Sequence, residues 1–111
     1  MHANEPPAPQ SAPPSSALSQ EQILAVVLSH ASEIQFCYER NIPDAPHVTG
    51  RVVLGWDVNT DGRAESVQVI ESSFRNPDAE SCMARQVARW EFPKPSRLSK
   101  VQFPMLFKAR R

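Results

Sequence analysis

Residues 50–72 read GRVVLGWDVNTDGRAESVQVIES, and this stretch decides the fold. From Gly50 to Asn59 the side chains alternate. Val52, Leu54, Trp56 and Val58 fall on one face, and Arg51, Val53, Gly55 and Asp57 on the other. A period of two with one apolar face is the pattern of a half-buried β-strand. Asn59-Thr60-Asp61-Gly62 follows, and Asp-Gly accepts the positive φ that a tight hairpin turn requires. A second strand is expected from about Arg63 to Ser72, with Val67 and Val69 facing inward and Ile70 on the opposite side. Asp57 and Asp61 near a turn invite a calcium-loop reading, but there is no closing glutamate, so turn chemistry is the better reading.

Upstream of the hairpin, Ser19-Gln20-Glu21-Gln22 is a capping box. Ile23, Val27, His30, Ile34 and Cys37 then follow at alternating steps of four and three, with Val26, Ala31 and Tyr38 beside them. That spacing predicts one helix ending near Asn41, with Pro43 and Pro46 stopping it. His30 on this stripe reads as a packed or half-exposed residue of the core face rather than a ligand. Downstream, Asn76-Pro77-Asp78 opens another helix, with Asn76 as N-cap and Pro77 at the first helical position. Its apolar face is Ala79, Cys82, Met83, Val87 and Trp90, and Pro93 and Pro95 end it. A last strand is expected over Val101 to Lys108. It contains Pro104, which cannot donate into a ladder, so the strand belongs at a sheet edge or turns that residue away from its neighbour. The predicted architecture is α+β: two helices packed on one face of a three-stranded antiparallel sheet.

The chain has 111 residues, enough for one core and too few for two. Residues 1–17 carry five prolines and no apolar periodicity, which predicts a solvated, polyproline-II-biased linker before a domain at 18–111. Formal net charge is zero, yet residues 84–111 hold eight basic side chains against Glu91 alone, a net +7, leaving −7 on the remainder. A basic segment can attract nucleic acid or anionic lipid. No aromatic-interleaved basic motif accompanies it, so solvation of a helix face, a loop and a chain end is the better reading. There is no run of about 18 apolar residues to span a membrane and no signal-peptide pattern. Met1-His2 followed by a bare linker reads as part of a longer protein.

Cys37 and Cys82 are the only cysteines. They lie 45 positions apart, so no C-x-x-C redox motif or zinc ligand set exists. They are either two buried thiols of a cytosolic protein or a disulfide joining the two helices. Their matching places on the two apolar faces favour the disulfide, which would stabilise by about 4 kcal/mol in the chain-entropy model and place the domain in an oxidising compartment.

Catalysis is not expected. A nucleophilic cysteine needs a base in hydrogen-bond reach, and Cys37 lies two helical turns from His30. His47 falls in a loop and His2 in the linker. The three glycines sit in or beside the hairpin rather than in a phosphate-cradling loop. Trp56, Trp90, Phe92, Phe103 and Phe107 fall at core spacings. The expectation is no cofactor, no metal and no small-molecule substrate.

The succession Cys37-Tyr38-Glu39, Gly50-Arg51-Val52, Asp61-Gly62-Arg63, Ser72-Ser73, Cys82, Trp90-Glu91-Phe92-Pro93 and Val101-Gln102-Phe103-Pro104 resembles the AgmX/PglI C-terminal domain, a TonB-like family of predatory and gliding bacteria. The resemblance runs from Leu18 to Phe107. It implies a periplasmic domain of an inner-membrane-anchored protein, joined to the membrane by a proline-rich spacer. It also implies coupling of a proton-driven inner-membrane motor, reached through an upstream segment, to an outer-membrane protein or envelope-complex subunit. Seventeen residues of polyproline II would span only about 50 Å of such a spacer. The grip expected is β-augmentation at the last strand, with Val101, Gln102, Phe103, Met105 and Phe107 as partner-binding residues. Gliding motility is the leading role. Receptor-linked uptake, and a structural bridge without force transmission, are the alternatives.

Overall fold

The computed structural model describes residues 17–42 and 49–108. Residues 1–16, Pro43, Pro46, His47 and residues 109–111 lie outside the described residues, and with them most of the expected linker and the prolines expected to stop the first helix. The elements are α1 (Gln20–Ser29), α2 (Ala31–Asn41), β1 (Gly50–Val58), β2 (Ala64–Ser72), α3 (Pro77–Arg89) and β3 (Ser99–Phe107). Among the described residues no helix is long and apolar enough to cross a membrane.

The hairpin forms where alternation places it. Gly62 closes the turn at φ +81, and a Cβ there would run into the Phe92 carbonyl oxygen. Asn59 stitches the turn, its Oδ1 accepting from the Asp61 and Arg63 amides at 2.9 and 3.1 Å. The sheet order is β2-β1-β3, antiparallel throughout. β1 is therefore central, and β3 is an edge, as Pro104 demands.

The helices cover the face that carries Val52, Leu54, Trp56 and Val58, joining Ile34, Tyr38, Met83, Val87 and Trp90 in one core. Tyr38 stacks on Phe107 at 4.7 Å, and Trp56 meets Trp90 edge-on at 6.4 Å. Val67 and Val69 pack against this core, while Ile70 stands on the other face, over Gly55. Val53 and Gly55 are buried although they lie on the face away from the helices.

Two expectations need correction. The single helix from Ser19 to Asn41 is two helices, so three helices rather than two accompany the sheet. The break falls at His30, whose ψ of 15° leaves the helical region while its N–H still bonds the Val27 and Leu28 carbonyls. Ala31, just beyond the break, is exposed and not part of the apolar face. Trp90, expected on the face of the last helix, is its C-cap in extended conformation, so the chain leaves α3 before Pro93 and Pro95 are reached. Both caps stand: Ser19 and Gln22 bond reciprocally, and Asn76 accepts from the Ala79 amide with Pro77 opening α3.

Candidate protein-interaction edge

β3 pairs with β1 in an unbroken register from Gly50 opposite Phe107 to Val58 opposite Ser99. Pro104 lies opposite Val53 within it. Because proline lacks an N–H, a regular ladder at this position requires its nitrogen to face away from β1. In an antiparallel pair, alternate residues point their backbone groups outward. The amides of Gln102 and Leu106, two positions either side of Pro104, then share its outward direction, and so do the three carbonyls. Among the described residues, these groups form the outer edge of the sheet.

The expected partner-binding residues divide by side chain. Val101, Met105 and Phe107 are buried, and by the same alternation their backbone groups bond β1, so they offer an added strand neither a side chain nor a backbone partner. Gln102 is exposed and Phe103 half-buried. Sequence reasoning did not single out Leu106, which is 65% exposed. Its place opposite Arg51 on the face away from the helices is the signal that would have found it.

The edge is the floor of a groove whose opposite wall is α1 and the start of α2. Leu24 and Ile23 line it with Phe103 at one end, and Leu28 and Ile34 line it with Phe103 and Met105 at the other. Leu24 and Leu28 are 43% and 63% exposed. An added strand would therefore meet a backbone ladder on one side and aliphatic side chains on the other. The other outer strand, β2, is less regular. Its register with β1 slips between Val53 and Leu54 and again between Gly55 and Asp57, with Ser66 at φ 54. Such bulges twist an edge out of pairing.

Polar contacts fix this wall at its two ends. The Leu18 amide donates to Ser99 Oγ at 2.9 Å, and Ser99 is buried. At the break, Glu33 accepts from His30 Nδ1 at 3.0 Å and from Trp90 Nε1 at 2.9 Å. His30 lies flat on Trp90, centroids 4.8 Å apart. The His30 hydrogen bond above all, helped by the Trp90 indole and the charge of Arg89, holds the Glu33 carboxyl below its usual range against partial burial. With both carboxylate oxygens engaged, this histidine–carboxylate pair serves as a joint.

Cys37 and Cys82 are joined by a disulfide, Cα atoms 5.6 Å apart, which connects α2 to α3. Asn76 Nδ2 donates to the Asn41 carbonyl at 3.0 Å, tying the end of α2 to the start of α3. On the surface, Lys100 pairs with Asp57 and Arg63 with Glu91 at 3.6 and 4.0 Å.

No family model matches this chain, and no curated protein matches it. Among solved structures, it is similar to the solution structure of the TonB C-terminal domain of Helicobacter pylori. The TM-score is 0.56 at 21% identity, over 85% of this chain and 86% of that one. It is also similar to the solution structure of the Pseudomonas aeruginosa TonB C-terminal domain, with a TM-score of 0.47 at 27% identity, over 60% of this chain and 72% of that one. The Helicobacter likeness shows the fold: three helices and a three-stranded antiparallel sheet in the α+β arrangement of a TonB C-terminal domain.

Proposed function

We propose that this chain is the periplasmic, protein-binding end of a TonB-like transducer and that it grips an outer-membrane partner by adding a strand to β3. The β3 edge, regular in register and lacking only the Pro104 donor, faces an aliphatic wall in a TonB-like fold and carries this reading. Backbone pairing supplies affinity in β-augmentation, and pockets for alternate side chains supply selectivity. Leu24 and Leu28 provide such a surface on the helix side, and Leu106 on the other. The partner segment is an extended strand with aliphatic residues at alternate positions.

The wider role follows by analogy with the resemblance: an upstream membrane anchor, a proton-driven motor and force carried through the proline-rich segment. Assignment to gliding motility rests on the AgmX/PglI-like motifs. The disulfide supports an oxidising compartment such as the periplasm. Catalysis has no part in this reading.

A photo-crosslinking residue in place of Gln102, in the full-length protein in its own cells, tests the grip. The expected product is a covalent adduct with an outer-membrane protein, lost when Leu24 and Leu28 are both changed to Asp. Adducts only with soluble proteins, or no adduct at Gln102 while an exposed β2 position such as Gln68 gives one, would overturn it.

A further inference from the structure

We propose that α1 is a strap that peels from the domain as a unit when the chain is pulled from its N-terminal side, and that the Cys37–Cys82 disulfide stops the peeling. The physiological setting rests on the transducer reading above; the mechanical behaviour belongs to the domain itself.

Resistance is unequally distributed. α1 buries one side chain, Val27, whereas α2 buries Ile34, Cys37 and Tyr38, and α3 buries Ala79, Cys82, Met83 and Val87. Elements with little buried apolar surface open first and below the global unfolding free energy. What fixes α1 at its ends is polar: the Leu18 amide on Ser99 Oγ at the start, and Glu33 bridging His30 and Trp90 just past the end. The helical ladder is already interrupted at His30. A pull entering at Leu18 meets the Ser99 contact first, then the partly buried Ile23 and Val26 with buried Val27, then the His30 joint.

Beyond the joint, the load reaches Cys37. There it crosses the disulfide into Cys82 on α3 and continues along the chain to β3. The intervening loop holds β1 and β2, which are thereby removed from the covalent load path. β1 is the strand whose ladder holds β3 in place. Pulling can open the groove's wall without drawing directly on the ladder behind its floor.

Single-molecule stretching of the full 111-residue chain between click-chemistry handles at Ala17 and Lys108 tests this. A first, low-force step of roughly 25 Å is expected for the Leu18–His30 stretch, from a gain of about 2 Å per residue between helix and extended chain. Ser99→Ala and Glu33→Gln should each raise the rate of that step at fixed force severalfold and leave the main event unchanged. Reduction should keep the first step and lengthen the main event by about 150 Å, because 45 residue steps rejoin the path. Hydrogen exchange gives a second readout: α1 amides should exchange faster than those of α2 and α3, and faster still in both variants. A single cooperative event with no early step, or an early step that neither variant moves, would overturn the strap. A clean strap in a domain that captures no outer-membrane partner would instead count against the transducer reading alone.

Discussion

Glu33 joins a ring on its own helix turn to a ring 57 residues away, and this makes the α1–α2 joint sensitive to acid. Its folded-state pKa lies below 4.5 because the ionised form is the better acceptor for His30 and Trp90. A carboxyl depressed on folding adds stability that is fully present above the unfolded value and is lost as pH falls through the folded one. The Glu33 contribution is therefore intact at neutral pH and fades below about 4.5. Its side chain is 40% exposed, so the charge adds less than about 1 kcal/mol. Glu33→Gln should cost under about 1 kcal/mol at neutral pH and flatten the acid limb of stability. Urea midpoints measured from neutrality down to about pH 3.5 check this; parallel acid limbs in both proteins would remove Glu33 from the account.

At the scale of elements, the two outer strands are guarded differently. β2 is bent by its bulges, whereas β3 is straight in register and has Pro104 at mid-edge as its visible block. Pro104→Val restores an outward donor and a continuous edge, so self-association through β3 is expected. Sedimentation equilibrium would show it as concentration-dependent dimer in the variant and monomer in the parent. A variant that stays monomeric would assign the protection to the α1 wall instead. Local chemistry made much of this level legible. The hairpin followed from alternation and Asp-Gly, the helix starts from Ser19 and Asn76, the edge from Pro104, and the cysteine pair from matching faces. The break at His30 was not legible, because Ile23, Val27, His30, Ile34 and Cys37 continue one helical stripe straight through it. What marks the break is the seat of the His30 ring on Trp90, sixty positions on. The groove wall, the Ser99 contact and the β2 bulges are long-range features of the same kind, and helical spacing carries no trace of them.

The whole molecule is small for the sheet it holds, and the disulfide carries a large share of its stability. Closing a loop with a sequence separation of 45 removes chain entropy equivalent to about 4 kcal/mol. Domains of this size are stable by only about 5–15 kcal/mol. Polar contacts flank the bridge at the two helix ends, Asn76 to the Asn41 carbonyl and Trp90 Nε1 to Glu33, and between them lies apolar packing of Ile34, Tyr38, Met83 and Val87. Cys37→Ala with Cys82→Ala keeps both positions small and apolar, and so isolates the covalent term. This double variant should lose about 2–4 kcal/mol in urea unfolding at neutral pH. Its slope against urea should be lower than that of the bridged protein only if the unfolded chain becomes more compact; the entropic account predicts the reverse, because an unbridged chain exposes more surface. A loss below about 1 kcal/mol with an unchanged slope would mean that the core alone holds α2 on α3. The bridge would then matter when the chain is pulled and hardly at all when it is at rest.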